Sequence, residues 1–378
     1  MRLPLLPDPP EAQLLAPKGF ETGPRSISAV RVLRISVTDR CNFRCVYCMP
    51  PEGVRWLARE DILSFEEIAQ VVRCAIEEHG IRRFKLTGGE PTVRHGLCEL
   101  IWQLRRIRGI EDLSLTTNGF CLEDLAEPLR QAGLDRVTIS LDSLDPLKFR
   151  QITRTGDLAK VLRGLRRAVD VGFRSVKINC VAMRGTNDDE FVDFARLSLD
   201  LPITVRFIEY MPLGDAALLR DLPGQDRQLR QIGGAESGPA GGCAAQNRGK
   251  DCFIPEAEIR ALIERELGPL IGVERSSEPG VGPATPYRLL RGCPKGRIGF
   301  ISAMSSPFCS TCNRLRLTAD GVLRSCLFDG GEIDLKPILR SPTGGGSRAI
   351  AQAMADCVRL KPRVHSARGN QQMSRIGG

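Results

Sequence analysis

Three cysteines in the motif Cys41-Asn-Phe-Arg-Cys45-Val-Tyr-Cys48 are the residues of this 378-residue chain with the clearest chemical potential. Their close spacing places three thiolates on one short loop. Three thiolates can hold three corners of a four-iron, four-sulfur cube, which normally takes four cysteine ligands. The remaining iron then keeps an open position, as catalytic metal sites do, and can bind a small molecule and pass it an electron. The alternative is a zinc knuckle or a group of buried thiols without function.

A second group of cysteines lies late in the chain, where Cys309-Ser-Thr-Cys312 is followed after thirteen residues by Cys326. Zinc, a redox disulfide and a second iron–sulfur cluster are the three hypotheses for these thiols. A closed zinc site requires four ligands, and we expect none of the chain's histidines near this group: His79, His95 and His365. Redox C-x-x-C pairs usually begin a helix, whereas this pair leads into a strand-like run over 314–318. The pattern therefore favours a second three-cysteine cluster.

The formal charge of +9 indicates an anionic partner. Arginine outnumbers lysine, and its planar guanidinium grips phosphate through two parallel hydrogen bonds. Arg314 and Arg316 alternate onto one face of the strand beside the second cysteine pair, where they could clamp an anionic substrate. A solvated edge of a sheet is the alternative. Aromatic residues are only 5% of the chain and no basic run is interleaved with them, which argues against DNA as a partner.

Six short β-branched runs alternate with amphipathic helical segments, which predicts a parallel βα assembly. The clearest helix begins at the capping box Ser64-Phe-Glu-Glu67 and ends at Gly80. Similar helical patterns cover 100–107 and 158–169. A barrel, complete or partial, is the natural closure of such a unit. The predicted strands are 30–37, 83–86, 113–117, 136–141, 175–181 and 203–208.

Polar or glycine-containing motifs follow five of these six strands. In parallel α/β barrels the active site is built on the carboxyl ends of the strands, so we expect the motifs to converge. Gly88 and Gly89 should allow a close backbone approach to a ligand, and Glu90 could accept a hydrogen bond from an ammonium group. The motifs are the cysteine loop, Thr87-Gly-Gly-Glu-Pro91, Thr116-Thr-Asn-Gly119, Ser140-Leu-Asp-Ser143 and Glu209-Tyr-Met211.

Composition divides the chain into five segments. No secretory signal and no apolar run of membrane-spanning length is visible, which predicts a cytoplasmic protein with reduced thiols and no membrane partner. In the later segments we expect a helix over 255–267, strands over 287–290 and 314–318, and a helix over 349–359. The segments are a flexible arm (1–28), the partial barrel (29–215), a Gly/Ala-rich insertion (216–252), a C-terminal region with the second cysteines (253–340), and a C-terminal helix with a Gly-Gly tail (341–378).

The first cysteine motif resembles the signature of radical S-adenosylmethionine (SAM) enzymes. Two three-cysteine groups, Cys-Asn-Arg-Leu-Arg-Leu from Cys312, and the ending Met373-Ser-Arg-Ile-Gly-Gly378 resemble the GTP 3′,8-cyclase (MoaA) family of molybdenum cofactor biosynthesis. The resemblance covers about 30–215, 285–330 and the final six residues. It implies an α/β fold: an incomplete (βα)6 TIM-like barrel whose open side is covered by a C-terminal α+β region, with one [4Fe-4S] cluster at each end of a channel.

The resemblance also implies site residues. The first cluster would be held by Cys41, Cys45 and Cys48, and the second, whose open iron meets guanine, by Cys309, Cys312 and Cys326. SAM would contact Tyr47, Gly89, Ser140 and Met211. GTP would contact Arg34, Lys85, Thr116, Lys177, Arg206, Arg314 and Arg316. The terminal Gly377-Gly378 is expected to thread toward the active site.

The activity that the resemblance implies is that of a lyase. A radical derived from SAM takes hydrogen from ribose C3′ of GTP, and the resulting carbon radical attacks C8. Reduction of the cyclised radical then gives 3′,8-cyclo-7,8-dihydro-GTP. The implied partners are an external electron donor, the downstream cyclic pyranopterin monophosphate synthase and a second copy of the chain in a homodimer. The chain departs from the family at Lys85, where arginine is usual, in the long insertion over 216–252, and in the arm before Ala29.

Two other functions compete with this interpretation. One is a radical SAM enzyme that modifies a peptide and binds an auxiliary cluster through its C-terminal cysteines. The other is a zinc-stabilised nucleic-acid-binding module, which only the positive charge favours. Arg314 and Arg316 discriminate between GTP and a peptide, and iron and sulfide analysis separates both enzymes from the zinc protein.

Overall fold

The computed structural model describes residues 23–213, 252–275, 280–290, 292, 294–341 and 346–366, and its strands form a single open sheet. The strands are β1 (Val32–Ser36), β2 (Arg83–Thr87), β3 (Asp112–Thr117), β4 (Arg136–Ser140), β5 (Ser175–Ala182), β6 (Ile203–Glu209), β7 (Leu270–Gly272), β8 (Thr285–Leu289), β9 (Arg297–Ile301), β10 (Arg314–Leu317), β11 (Val322–Arg324) and β12 (Glu332–Asp334).

The order across the sheet is β12-β11-β10-β1-β2-β3-β4-β5-β6-β9-β8-β7. All neighbours from β10 through β6 to β9 are parallel, whereas the pairs outside them are antiparallel. The expected incomplete barrel is therefore confirmed. The C-terminal region completes it by adding strands to both edges of the six-stranded unit, β10 beside β1 and β9 beside β6.

The helices follow the strands as the sequence pattern requires. The first, α1 (Phe65–His79), shows the predicted capping box: Ser64 Oγ accepts from Glu67 N, and the Glu67 carboxylate accepts from Ser64 N. It ends at Gly80, which adopts a φ of 64° that glycine tolerates without strain. The others are α2 (Leu97–Arg105), α3 (Leu122–Gln131), α4 (Pro146–Thr153), α5 (Leu158–Asp170), α6 (Phe191–Asp200), α7 (Glu256–Leu267), α8 (Lys336–Leu339) and α9 (Gly346–Arg359).

One face of the sheet packs against these helices through buried aliphatic and aromatic side chains. Phe207 on β6 stacks on Phe300 on β9, with ring centroids 5.9 Å apart, and so joins the barrel strands to the C-terminal region. Alternate residues of the same strands point to the opposite side, where arginine and lysine replace the aliphatic residues. This alternation separates an apolar core from a polar interior.

The described segments agree with the predicted elements to within a few residues. Several elements of the described structure were not predicted, among them β9, β7, β11 and β12. Residues 1–22 of the predicted arm, 216–251 of the predicted insertion and the Gly377-Gly378 tail lie outside the described residues. Among those described, no helix combines the length and the hydropathy that crossing a membrane requires.

Candidate active site

A cavity of about 950 Å³ lies on the polar side of the sheet, and both cysteine groups line it. Every residue assigned to the clusters, to SAM or to GTP by the resemblance borders this same cavity. The volume is at the upper end of the range for ligand pockets. One enclosed space is therefore available to the whole predicted set.

The two cysteine groups lie at opposite ends of the parallel strands. Cys41, Cys45 and Cys48 follow the carboxyl end of β1. At the amino end of β1 the amides of Arg31 and Val32 donate to the carbonyl of Asn313, the residue after Cys312. The strand between these ends has five residues, which at about 3.3 Å per residue span roughly 15 Å. A channel with one cysteine group at each end agrees with the expectation from the resemblance.

The first cysteine loop is anchored by the carboxyl end of α4. The amides of Arg44 and Val46 donate to the carbonyls of Thr153 and Ile152. The guanidinium of Arg154 then donates to the carbonyls of Arg44 and Met49, each at 2.8 Å. The contacts from α4 and Arg154 thus fix the backbone of the loop without involving its sulfur atoms. Within the loop, Cys41 Sγ accepts from the amide of Phe43 at 3.4 Å.

Gly88 and Gly89 line the cavity, and each is also packed tightly against protein on the side where a Cβ would lie. The expected close approach of their backbone to a ligand stays a prediction. A Cβ on Gly89 would overlap the carbonyl oxygens of Asp39 and Arg40, and one on Gly88 would lie 2.5 Å from the carbonyl oxygen of Thr38. The amide of Gly89 donates to the carbonyl of Thr38 at 2.7 Å. The glycines permit the end of β2 to lie directly beside the segment that leads into the cysteine loop.

The carboxylate of Glu90 is held by hydrogen bonds from within the protein. Its buried carboxylate accepts hydrogen bonds from Thr92, from Thr117 Oγ1 at 2.6 Å and from the amide of Asn118 at 2.6 Å. Asn118 in turn donates to the side chain of Asn42 in the cysteine loop. The carboxylate therefore ties the ends of β2 and β3 to the first cysteine group.

Asp142 is a site residue that sequence analysis did not single out, although its motif was noted. Its carboxylate accepts from Tyr47 Oη at 2.6 Å and from the amide of Val181 at 2.8 Å. Burial raises the pKa of Asp142 to about 6, while the bond from Tyr47 acts in the opposite direction. Tyr47 is thereby oriented by the end of β4. The position of Asp142 directly after the end of β4 was the sequence signal that could have identified it.

Basic side chains occupy the centre of the cavity. Arg316 on β10, Arg34 on β1 and Lys85 on β2 are aligned in one register row across three neighbouring strands. Lys177 and Arg206 approach from β5 and β6 and are both buried. We call these five side chains the basic row. Burial lowers the pKa of Lys85 well below its usual value, and repulsion from Arg206 and Arg34 adds to that effect.

The same centre contains polar atoms suited to a ligand. Thr116 Oγ1 and Asn179 Oδ1 are buried and have no hydrogen-bond partner within the described part of the chain. Both residues line the cavity. A buried polar atom without a partner costs about 1–3 kcal/mol. A polar ligand in the cavity would remove this cost. Thr116 was in the predicted GTP set, but Asn179 was not.

The second cysteine group is closed by the segment after α9. The buried ammonium of Lys361 donates to the carbonyl of Cys312 at 3.1 Å. His365 stacks on Phe328, with ring centroids 4.1 Å apart, and lines the same cavity as Cys309. The expectation that no histidine lies near these cysteines was therefore wrong. Separation along the chain concealed the contact, because the C-terminal segment folds back onto the cysteine turn.

Both cysteine groups are chemically suited to clusters. None of the six cysteines forms a disulfide within the described part of the chain. Burial raises the pKa of Cys41 to about 11, whereas Arg314 and Lys361 outweigh the effect of burial at Cys312 and lower its pKa to about 7. Since thiolates bind metal, cluster assembly must release protons at the first group.

The fold and the cysteine loop define a class of enzyme. The model of the Radical SAM superfamily matches residues 35–198, which include the first cysteine group. The model named Molybdenum Cofactor Synthesis C matches residues 231–367, which include the second. Enzymes of this superfamily use SAM together with a [4Fe-4S] cluster.

Curated relatives make the assignment more specific. A GTP 3′,8-cyclase of Pelotomaculum thermopropionicum is 45% identical over 92% of this chain and 98% of its own. Another, from Moorella thermoacetica, is 44% identical with the same coverage. The chain therefore belongs to the GTP 3′,8-cyclase family. Among solved structures, Streptococcus suis SuiB bound to precursor peptide SuiA matches with a TM-score of 0.46 and 14% identity, over 89% of this chain and 75% of that one. That similarity is too low to carry an argument.

Proposed function

We propose that this enzyme cyclises GTP to 3′,8-cyclo-7,8-dihydro-GTP in its central cavity, as the first step of molybdenum cofactor biosynthesis. The observation that carries the proposal is the basic row between two three-cysteine groups. A row of cations that line one cavity suits a polyanion, and a triphosphate is one. A substrate bound there lies between the two cysteine groups.

Cys41, Cys45 and Cys48 would hold the first [4Fe-4S] cluster, and Cys309, Cys312 and Cys326 the second. When bound, the first cluster and SAM supply the radical chemistry that removes a hydrogen atom from the substrate. SAM would contact Tyr47, Gly89, Ser140 and Met211, all at the carboxyl ends of the strands. Gly89 would contribute through its backbone. No larger residue fits at this position, because the protein fills the space where a Cβ would lie.

The basic row would bind the triphosphate and orient the ribose toward the first cysteine group. Arg34, Lys85 and Arg316 come from adjacent strands, so they can contact neighbouring phosphates of one ligand. Lys85 Nζ also donates to Thr138 Oγ1 at 3.2 Å, which fixes its direction. Near-attack positioning of this kind can account for about 7–11 kcal/mol of a barrier. The walls of the cavity would limit the access of water to a reactive intermediate.

A peptide-modifying enzyme is less well supported, because a peptide offers no reason for so many cations in one cavity.

We propose the domain limits of the sequence analysis for the same chain: an arm (1–28), a partial barrel (29–215), an insertion (216–252), a second-cluster region (253–340) and a C-terminal segment (341–378). The proposal also includes an external electron donor, the synthase that consumes the product, a homodimer and a cytoplasmic location.

The test is an anaerobic assay of the reconstituted protein with GTP, SAM and dithionite. We expect GTP-dependent 5′-deoxyadenosine and a cyclised nucleotide. Replacement of Arg316 by alanine should raise the apparent KM for GTP at least tenfold and leave SAM cleavage without GTP unchanged. Arg265, an exposed residue on α7 paired with Glu266, provides the matched control as Arg265→Ala. An absence of cyclised nucleotide with the wild-type protein would reject the function.

A further inference from the structure

Lys361 is a buried cation that the proposed chemistry does not use. Its side chain is only 3% exposed. Within the described residues its ammonium forms no ion pair with a carboxylate, and its hydrogen bond goes to the Cys312 carbonyl at 3.1 Å. Burial lowers the pKa of Lys361, and nearby Arg314 acts in the same direction, whereas the thiolate forms of Cys312, Cys357 and Cys326 would raise it. A buried charge is costly unless it is compensated, so this ammonium needs a negative partner at the cysteine group.

The surroundings fix Lys361 in place. It follows α9, and its own carbonyl accepts from Arg25 Nε at 2.8 Å. Its amide donates to the carbonyl of Val358, at the end of α9. Farther along, the amide of Ser366 donates to Asp329 at 2.8 Å. The segment is therefore fixed on both sides of the lysine, and the ammonium cannot leave the cysteine turn without breaking several contacts.

We infer that Lys361 is a positioning residue for the second cluster: its ammonium holds the Cys312 turn in place and, together with Arg314, adds positive charge that balances the cluster and its three thiolates. The inference rests on the proposed ligands of that cluster. Charge near a cluster is one of the main determinants of its reduction potential. A fixed positive charge favours the reduced state, which carries one more negative charge.

The first test uses Lys361→Met, which keeps the length of the side chain and removes the charge, and Lys361→Arg, which keeps the charge. Lys336→Met is the control, because Lys336 pairs with Asp61 away from the cysteines. In Lys361→Met we expect the equilibrium constant for one-electron reduction of the second cluster to fall about tenfold, which corresponds to about 59 mV. Lys361→Arg should restore most of this loss. Potentials are read by paramagnetic resonance during redox titration.

The second test needs no cluster. Hydrogen exchange in the metal-free protein should show faster exchange of the amides of Thr311 and Cys312 in Lys361→Met than in the wild type or in Lys336→Met. These amides donate to Phe308 and Cys309 within the turn that the lysine holds. Unchanged potential together with unchanged exchange would overturn the inference. If the second ligand set itself is wrong, Cys312→Ala will keep the wild-type iron content, a result that distinguishes the two failures.

Discussion

Arg154 stands out among the described non-glycine residues because its φ is positive, at 61°. Side chains with a Cβ adopt this conformation at a cost of about 1–3 kcal/mol, so the surroundings must stabilise it. They do so through the two hydrogen bonds from its guanidinium to the carbonyls of Arg44 and Met49. The strained residue thus joins the end of α4 to both sides of Cys45 and Cys48.

We predict that Arg154→Gly destabilises the first cluster even though glycine relieves the backbone strain. The loop loses two anchors, so its thiols should converge less often on one cluster. Iron content should fall toward half, and the resonance signal that responds to SAM should weaken most. Arg150→Ala is the control, because Arg150 lies on α4 and its guanidinium donates to the Gly156 carbonyl, outside the cysteine loop. Wild-type iron content in Arg154→Gly would show that the anchors are dispensable.

The residue types alone predicted much of the site, but they did not show what each residue contacts there. The cysteines and basic residues were recognisable because their chemistry is specific and their spacing is short. Asp142 was overlooked, since its position after a strand end does not show that a buried carboxylate there orients a tyrosine. His365 and Lys361 were overlooked for a related reason: their contacts with the second cysteine group span some fifty residues of chain.

At the scale of elements, the junction between β2 and the cysteine loop depends on close contact of two backbones. The amides of Gly89 and Glu90 donate to the carbonyls of Thr38 and Arg40, each at 2.7 Å. Such an approach leaves no room for a Cβ at Gly89. The contact links the second strand end to the segment that carries Cys41.

We predict that Gly89→Ala disrupts this junction. The added methyl group would overlap two carbonyl oxygens that cannot move independently, and overpacking of this kind typically costs about 1–3 kcal/mol. The melting temperature of the metal-free protein should fall by several degrees, and reconstitution of the first cluster should decline with it. Gly272→Ala is the matched control, since a Cβ there meets nothing within 4 Å. Equal melting temperatures for the two variants would contradict the packing argument.

The periodicity of the sequence predicted the six barrel strands well because each is short, β-branched and bounded by a helix signal. The strand pairing at the edges of the sheet was not predicted. β9 and β10 pair with β6 and β1, which lie about 90 and 280 residues earlier in the chain. No local pattern encodes such pairing. The sequence therefore indicated an open barrel with a C-terminal region beside it, but not that this region extends the same sheet.

At the scale of the whole molecule, the two cysteine groups are separated by the basic row. Arg316 and Arg34 join the two sides of the channel through the pairing of β10 with β1. The C-terminal region therefore contributes directly to the anion site as well as to the second cysteine group. The proposed substrate site draws on both matched regions of the chain, and it also includes Arg34 and Arg206, which lie outside them.

The close spacing of the cations in the basic row predicts that GTP binding is coupled to the uptake of a proton. Burial and repulsion lower the pKa of Lys85 in the free enzyme, so part of its population is neutral at a pH where an exposed lysine is charged. A bound triphosphate places negative charge beside it and raises that pKa. Between the two pKa values GTP binding must take up a proton, and the affinity for GTP must fall as the pH rises through this interval.

Calorimetry in two buffers with different ionisation enthalpies measures this uptake. The experiment belongs at about pH 8 or above, where the last phosphate group, with a pKa of about 6, no longer titrates. We expect net proton uptake by the wild type, and its loss together with at least tenfold weaker binding in Lys85→Met. Lys85→Arg should bind GTP without the uptake, because a guanidinium stays charged throughout this range. Equal observed enthalpies for the wild type in both buffers would mean that Lys85 is already fully protonated before GTP arrives, and that the repulsion within the basic row is compensated in another way.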